Sequence, residues 1–405
     1  MNQNLTQAAY VHLPFCRQRC FYCDFPIAVV GPQQNLEQAN WVKEYVEVLC
    51  QEIQSLTPGK LVPLTSVFFG GGTPSLLPVA DLALILQTLE RSLGFDSAIE
   101  ISLEIDPGTF NLQRLQSYQA LGVNRLSLGV QSFADDLLAG CGRHHRYADI
   151  ERALEDLNRC SFPNWSLDLI AGLPQQTLCH WEDSLSQAIA AGPTHISCYD
   201  LVLEANTALG KTMKPETAPL PAGDTTAAMY ELAHHQLSQA GFEHYEISNY
   251  ARPGFTCRHN LVYWHNQPYY GFGLGATSYV GGVRITRPRT RQAYYHWVCQ
   301  LPHSYTGEIT SGKEQSLETL MLGLRLAPGV AIAAIPNLTR PEQEKLLEIL
   351  LPSAQTGLVA LVGADGAVWW EKPPGGWQEI TTVRLTVPRG FMLSNQVLGH
   401  IFAHL

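Results

Sequence analysis

The sequence predicts an α/β protein, with a partial (β/α)6 TIM-like barrel followed by a small α+β, winged-helix-like domain. Short β-rich runs alternate with longer segments of helical spacing over residues 9–202, and this alternation is typical of parallel βαβ units. Polar or glycine-rich sequence follows the β-rich runs, as expected on the rim of a barrel that carries a site. Six units indicate a partial barrel rather than a closed eightfold one.

Each predicted strand is a short apolar run, and each predicted helix has apolar residues at intervals of three and four. The predicted strands are Ala9–Leu13, Ser66–Phe69, Glu100–Ile105, Arg125–Val130, Ser166–Ala171 and His195–Val202. The predicted helices between them are Glu37–Ser55, Val79–Leu93, Leu112–Leu121, Tyr147–Arg159 and Trp181–Ala191.

The chain beyond the barrel is predicted to form two further parts. We assign residues 1–240 to the barrel, 241–310 to an extension rich in histidine and aromatic residues, and 311–405 to the C-terminal domain. Helices followed by short strands and a last helix predict the winged-helix-like arrangement of that domain. The elements are helices Glu314–Leu326 and Arg340–Leu351, strands Leu358–Leu361, Val368–Glu371 and Thr381–Thr386, and helix Asn395–His404.

Composition excludes several classes of protein. Of the 405 residues, 45% are hydrophobic and 15% charged, which is a globular rather than a disordered balance. The formal net charge of −10 disfavours a nucleic-acid-binding protein. The sequence has no apolar run long enough to span a membrane, so we expect a cytoplasmic protein whose ten cysteines are reduced. Membrane docking and homodimerisation stay open.

Three of the cysteines form one cluster with the spacing Cys16-x3-Cys20-x2-Cys23. Three thiolates on one loop can ligate three irons of a [4Fe–4S] cluster and leave the fourth iron open. S-adenosylmethionine (SAM) can chelate such an iron through its amino and carboxylate groups. The alternative is zinc, which usually takes four ligands in structural sites, and His12 and Asp24 fit poorly as the fourth. A zinc site with three cysteines stays an alternative on ligand count alone.

The residues around this cluster resemble those of a known family. The segment Tyr10–Phe25, which reads YVHLPFCRQRCFYCDF, looks like the opening of the radical SAM superfamily, and in particular of the oxygen-independent coproporphyrinogen III oxidase group. That group contains true oxidases and related haem chaperones of the HemW kind. The resemblance continues through Gly70–Ser75, Glu104–Thr109 and Cys257–Trp264 to the C-terminal region, so it covers nearly the whole chain.

One departure distinguishes the two subgroups. The oxidases carry a further cysteine two positions after the third ligand, where this sequence has Phe25. The stretch Cys257–Trp264 also resembles a His-Asn-x-x-Tyr-Trp element of the chaperones. The resemblance therefore implies a haem chaperone that binds haem and delivers it to client haemoproteins. The alternative is an oxygen-independent coproporphyrinogen III oxidase, which decarboxylates its substrate oxidatively.

The resemblance also implies roles for individual residues, none of them catalytic. Cys16, Cys20 and Cys23 are the expected metal ligands. The expected SAM contacts lie mostly at strand ends and are Tyr10, Gly72, Thr73, Glu104, Gln131, Arg143 and Asp168. The Gly70–Gly72 turn is expected to let the backbone pass close to a ligand and to expose its N–H groups there.

The candidate haem ligand is His259, with Cys257 and His265 as further candidates, since imidazole and thiolate commonly bind haem iron. The structural alternative is that His259 and Asn260 form a hydrogen-bonded pair that stabilises a loop. In that case Tyr263 and Trp264 anchor the segment in a core.

Overall fold

The computed structural model describes residues 5–31, 36, 39–55, 62–215, 217–301 and 306–405. The chain divides into two compact units, and each of them combines two separate stretches of sequence. The first unit is Met1–Met229 with Pro268–Ile309, and the second is Tyr230–Gln267 with Thr310–Leu405. The predicted division at residues 240 and 310 into three domains stays a prediction.

The described strands and helices are numbered here in chain order. The strands are β1 (Ala8–Leu13), β2 (Phe15–Cys16), β3 (Ala28–Val29), β4 (Leu64–Gly71), β5 (Phe95–Ile105), β6 (Arg125–Gln131), β7 (Trp165–Ala171), β8 (His195–Asp200), β9 (Glu243–Glu246), β10 (Asn249–Ala251), β11 (Tyr270–Phe272), β12 (Thr277–Val280), β13 (Val283–Thr286), β14 (Glu308–Ile309), β15 (Val330–Ala331), β16 (Val359–Gly363), β17 (Val368–Trp369) and β18 (Ile380–Leu385). The helices are α1 (Asn40–Ser55), α2 (Val79–Leu93), α3 (Leu112–Ala120), α4 (Asp135–Gly140), α5 (Tyr147–Cys160), α6 (Leu178–Ala190), α7 (Ala208–Thr212), α8 (Gly223–Gln239), α9 (Arg258–Trp264), α10 (Arg291–Cys299), α11 (Gly312–Gly323), α12 (Arg340–Gln355), α13 (Arg389–Met392) and α14 (Ser394–His404).

The first unit is built on a parallel sheet with the strand order β11-β1-β4-β5-β6-β7-β8. Six of these strands are the predicted ones, and helices connect them as predicted. Most of their side chains are buried, as expected where helices cover the outer face of a parallel sheet. The described strands do not close into a complete barrel, so the predicted partial barrel is confirmed.

Strand β11 was not predicted. It is only three residues long and pairs with β1 in parallel, with Ala9 opposite Tyr270 and Val11 opposite Phe272. A strand this short has no recognisable alternation of its own, and its partner lies far away in the sequence. The local sequence pattern therefore does not predict the position of β11 in the sheet.

Several predicted boundaries differ from those in the structure. Helix α6 begins at Leu178, three residues before the predicted Trp181, because Thr177 caps it by accepting a hydrogen bond from the His180 N–H. Strand β5 begins at Phe95 rather than Glu100, and β8 ends at Asp200 rather than Val202. The first residues of the predicted helix Glu37–Ser55 lie outside the described residues.

The second unit is α+β, as predicted for the C-terminal region. Strands β15, β18, β16 and β17 form an antiparallel sheet in that order, and β9 and β10 form an antiparallel pair. The core of the unit packs α11, α12 and α14 against this sheet, with Leu320, Leu346 and Ile401 fully buried. Helix α12 continues to Gln355 through Pro352, beyond the predicted end at Leu351.

A buried ion pair connects separate parts of the first unit. Glu52 on α1 accepts a hydrogen bond from Nε of Arg287 at 2.8 Å, and both side chains are completely buried. The second carboxylate oxygen of Glu52 accepts from the Gly273 N–H at 2.8 Å and from the Tyr294 hydroxyl at 2.7 Å. The pair therefore joins α1 and α10 to the chain that follows β11 and β13.

We expect Glu52→Ala to lower the free energy of unfolding by about 3–5 kcal/mol, because it leaves the Arg287 charge buried without its partner. Denaturant unfolding followed by circular dichroism measures this change. Glu47→Ala is the control, since Glu47 is exposed on the same helix and its loss is expected to change stability by no more than about 0.5 kcal/mol. Equal effects of the two substitutions would contradict a structural role for the pair.

Candidate functional site

A cavity of about 400 Å³ opens in the first unit at the carboxyl ends of the parallel strands. Cys16, Cys20 and Cys23 all line it. Among the side chains predicted to contact SAM, those of Thr73, Glu104, Gln131, Arg143 and Asp168 line the same cavity, together with the backbone of Gly72. The structure therefore brings most of the predicted site residues together, although they come from positions far apart in the sequence.

The cysteine loop is closed at its base by short backbone pairing. Strand β2 pairs in parallel with β3, so that Cys16 lies opposite Val29. The Ala28 N–H donates to the Pro14 carbonyl at 2.7 Å, and the Val30 N–H donates to the Cys16 carbonyl at 2.8 Å. These bonds confine the three cysteines to one loop at the end of β1, and all three are partly buried there.

The glycine turn after β4 packs directly on this loop. A Cβ atom on Gly72 would lie 2.7 Å from the Phe15 carbonyl oxygen and 2.7 Å from the Pro14 carbonyl carbon, so only glycine fits at this position. The Gly72 N–H donates to the Leu13 carbonyl at 2.8 Å, and the Thr73 N–H donates to the Phe15 carbonyl at 2.7 Å. The expectation that this turn presents free N–H groups was therefore wrong, because those groups hold the cysteine loop.

Two hydrogen-bond donors approach the cysteine sulfurs. The Thr73 hydroxyl lies 3.8 Å from Sγ of Cys16, and Nη1 of Arg143 lies 3.6 Å from Sγ of Cys20. Hydrogen bonds to sulfur and nearby positive charge both stabilise a thiolate. Burial has the opposite effect and outweighs the Thr73 hydroxyl, so that the pKa of the Cys16 thiol is raised to about 12 and binding of a metal must displace its proton.

Asp106 holds both of these donors, and sequence reasoning missed it as a site residue. Its Oδ1 accepts from Nη2 of Arg143 at 2.6 Å, and its Oδ2 accepts from the Thr73 hydroxyl at 3.1 Å. Arg143 has separate N–H groups for Asp106 and for Cys20, whereas the single hydroxyl proton of Thr73 is donated either to Asp106 or to Cys16. The available signal was its position directly after the third predicted strand, two residues beyond Glu104.

No group of three or more His, Cys, Asp or Glu side chains in the described parts of the chain is arranged to hold a single metal ion. A single ion needs ligands that converge on one point. The thiolates of an iron–sulfur cluster instead bind different irons. The side chains that suit such a cluster are the three soft sulfur donors on one loop, with the Arg143 guanidinium next to them.

Two half-buried carboxyl groups line the cavity. Burial, reinforced by the nearby Asp168, raises the pKa of Glu104 to about 8, although Glu104 accepts a hydrogen bond from the Gly71 N–H at 3.1 Å. Burial also raises the pKa of Asp168, which accepts from the hydroxyls of Ser127 at 2.8 Å and Ser166 at 3.1 Å. A neutral Glu104 can donate as well as accept hydrogen bonds, which suits recognition of ribose hydroxyls.

The remaining predicted SAM contacts occupy different positions. Gln131 lines the cavity and has a left-handed backbone conformation, with φ of 69°. Among the described residues, the cavity lining does not include Tyr10. The Tyr10 hydroxyl lies 3.0 Å from Nδ1 of His12, and its ring stacks on Phe68. Any contact of Tyr10 with a ligand in this cavity would need a change from this arrangement.

The candidate haem ligands lie in the second unit on or next to α9. His259 is 1% exposed, and its Nε2 is 3.0 Å from the Tyr263 hydroxyl. Cys257 is buried at the residue before the helix, whereas His265 is exposed directly after it. His259 would have to leave its buried position to reach a haem iron, so its assignment as a ligand stays a prediction.

Within the described residues, no helix combines the length and the apolar character that a membrane span requires.

Comparison with known proteins identifies the family of the chain. Residues 10–188 match the model of the radical SAM superfamily. A protein from Synechocystis named heme chaperone HemW is 50% identical over 98% of this chain and 97% of its own length. The Bacillus subtilis protein of the same name is 37% identical over 80% of this chain and 85% of its own length.

The chain belongs to the HemW family of radical SAM proteins.

The family implies a [4Fe–4S] cluster and SAM as cofactors. The structure of coproporphyrinogen III oxidase (HemN) from Escherichia coli matches the fold with a TM-score of 0.80 at 22% identity, covering 100% of this chain and 91% of that one. At this identity the match shows a shared fold. The fold class predicted from the sequence and the resemblance to this family are both confirmed.

The pKa of Glu104 generates a prediction about stability. Because its pKa is raised from 4.5 to about 8, the folded protein binds a proton at neutral pH that the unfolded chain does not bind. The resulting stabilisation is complete below about pH 4.5 and is lost as the pH rises through about 8, at up to about 1.4 kcal/mol per pH unit.

We expect Glu104→Gln to remove this part of the pH dependence, since glutamine resembles the neutral carboxyl group and does not titrate. Denaturant unfolding between pH 5 and pH 9, without added SAM, measures it. Glu90→Gln, at an exposed position on α2, is the matched control and is expected to leave the dependence unchanged. Identical pH profiles of Glu104→Gln and the unsubstituted protein would show that Glu104 is ionised in the folded state.

Proposed function

We propose that this protein is a haem chaperone, which binds haem and delivers it to client haemoproteins with the help of a SAM-binding [4Fe–4S] cluster. One observation carries the proposal. The relative named heme chaperone HemW from Synechocystis is 50% identical over nearly the full length of both chains. Because that similarity covers both units, it includes the cysteine loop and the α9 region alike.

In this proposal Cys16, Cys20 and Cys23 hold the cluster. Their common loop, their partial burial and their place in one cavity support the assignment. When bound, such a cluster supplies an open iron for the amino and carboxylate groups of SAM, and an electron. The chain contributes the Arg143 guanidinium, which is held by Asp106 and faces the Cys20 sulfur, and the Thr73 hydroxyl, whose one proton is shared between Asp106 and Cys16.

The assignment of the SAM contacts is part of the same proposal. Glu104 and Asp168 are half-buried and line the cavity, where they can exchange hydrogen bonds with the polar groups of the nucleoside. Arg143 is the cation available to the SAM carboxylate. Gly72 and Thr73 contribute mainly by fixing the cysteine loop, and Tyr10 packs beside Glu104 behind Gly70.

The cellular compartment, the oligomeric state and contact with a membrane are also part of the proposal. A chaperone of this kind acts in the cytoplasm on haemoproteins that have not yet received their cofactor. The protein can meet its clients either as a monomer or as a homodimer, and it can acquire haem at a membrane surface. The alternative function is oxidative decarboxylation of coproporphyrinogen III. The Escherichia coli oxidase that carries this name shares the fold of the chain.

One experiment separates the chaperone from the oxidase. We expect the anaerobically reconstituted protein to bind haem, to pass it to an apo-haemoprotein, and to leave coproporphyrinogen III unchanged in the presence of SAM and a reductant. Haem absorbance follows binding and transfer, and chromatography of porphyrins follows turnover. Decarboxylation at a catalytic rate would contradict the chaperone assignment.

The ligand assignment has its own test. We expect Cys20→Ser to abolish the charge-transfer absorbance of the reconstituted cluster and to lower its iron and sulfide content, because serine replaces one of three required thiolates. Cys179→Ser is the control, since Cys179 is exposed and does not line the described cavity. A Cys20→Ser protein with full iron, sulfide and absorbance would contradict the assignment, as would tight zinc binding without iron in the unsubstituted protein.

A further inference from the structure

Large apolar side chains are exposed at the mouth of the cysteine-lined cavity. Phe25 is 63% exposed and Tyr199 is 40% exposed, and both line the cavity. Ile27 adds a further apolar side chain to the cavity lining. Single exposed apolar residues are common on protein surfaces. Several around one opening indicate a surface that binds an apolar ligand.

The backbone around Phe25 is anchored, although its ring is exposed. Nη1 of Arg19 donates to the carbonyl oxygens of Cys23 and Phe25, both at 3.1 Å. The next carbonyl, that of Pro26, lies 2.9 Å from Nε2 of the buried His12. A ring presented by a fixed backbone loses little conformational entropy when a ligand covers it. Phe25 is therefore preorganised for contact with a ligand.

Two guanidinium groups lie at the same opening. Arg17 lines the cavity, and Arg19 is exposed beside Phe25. His144 also lines the cavity, but partial burial and the nearby Arg17 lower its pKa and favour its neutral form. The acidic Asp24 is bonded to Arg289, and Asp106 is bonded to Arg143. Two positive side chains thus lie at an apolar opening in a chain whose formal net charge is −10.

Haem matches this combination of groups. Its macrocycle is flat and apolar, so its faces can stack on aromatic rings such as those of Phe25 and Tyr199. Its two propionates can pair with the guanidinium groups of Arg17 and Arg19. His259 offers no comparable access, since it is 1% exposed and lies next to the Tyr263 hydroxyl.

We propose that the haem cargo docks at the mouth of the cysteine-lined cavity, on Phe25 and Tyr199, with its propionates toward Arg17 and Arg19. This inference rests on the proposed haem-chaperone function and deepens it by naming the cargo site. The docked macrocycle then covers the opening of the cavity. Phe25, which stands where the oxidases carry a cysteine, supplies the main stacking surface.

Haem titration of reconstituted protein, followed by its absorbance, tests the site. We expect Phe25→Ser and Tyr199→Ser each to raise the dissociation constant of haem about tenfold or more, because each removes a large apolar contact. Phe25→Trp is expected to keep the affinity of the unsubstituted protein, since it retains an aromatic face. Iron and sulfide content, measured for every variant, shows that the cluster is intact.

Two control variants remove exposed apolar side chains that do not line the described cavity. Leu84→Ser acts on α2 of the first unit and Phe402→Ser on α14 of the second, and both residues are 44% exposed. We expect both proteins to bind haem with unchanged affinity.

Three results would overturn the proposal. The first is loss of haem binding in His259→Ala with normal binding in Phe25→Ser, which would place the cargo in the second unit. The second is unchanged haem affinity in the mouth variants with slower transfer to an apo-haemoprotein, which would make the mouth a client-binding surface. The third is a similar loss of affinity in the mouth variants and in both controls. Failure of the unsubstituted protein to bind haem would instead refute the proposed function itself.

Discussion

The site depends on the close contact between two backbone segments, the glycine turn after β4 and the chain that enters the cysteine loop. Gly72 lies so near to Pro14 and Phe15 that a side chain would collide with their backbone atoms. The Gly72 and Thr73 N–H groups are the donors that hold these segments together. This contact places the cysteines on the rim of the sheet, and it brings the Thr73 hydroxyl toward Cys16. The chemistry of the cavity therefore begins with a steric requirement for glycine.

A second constraint is the distribution of charge around the cavity. Asp106 is the carboxylate that holds Arg143 and Thr73, so its negative charge is balanced by the guanidinium. Glu104 has no such partner in the cavity lining, and burial together with Asp168 favours its neutral form. The two acids therefore act differently, one as an anion that orients donors and the other as a neutral group that can donate. A net negative cavity would repel both SAM carboxylate and iron-bound thiolates, and this division avoids it.

Features that repeat along the chain, or that lie at a fixed position relative to a strand, could be predicted from the sequence. The six main strands have apolar runs long enough to recognise, and the cysteine spacing is specific by itself. Glu104, Gln131 and Asp168 were identified because parallel strands bring their carboxyl ends to one edge. Features that depend on tertiary contact were not readable in this way. Strand β11 is three residues long, and the partners of the Gly72 N–H lie more than fifty residues away in the sequence.

The same distinction applies to the histidine and aromatic residues of the α9 region. Sequence pattern singled out His259 because imidazole is a common haem ligand, but pattern carries no information about burial. In the structure His259 is buried, and its hydrogen-bond partner is Tyr263, four residues later on the same helix. This arrangement is close to the structural alternative, which paired His259 with Asn260 instead. A buried neutral imidazole of this kind stabilises its own helix, and burial lowers its pKa to about 3.

Phe25 shows the opposite case, because the residue by which the sequence differs from the oxidases is one that the structure exposes. A large aromatic ring held at 63% exposure by an anchored backbone is unfavourable in water unless something covers it. The Phe25 ring cannot bind a metal as a cysteine thiolate can. It instead gives the edge of the cavity an apolar surface for contact with a ligand. Retention of a bound planar molecule requires an apolar contact surface, and an exposed ring on an anchored backbone provides one. The side chain at this position therefore agrees with the haem docking site proposed at the mouth of the cavity.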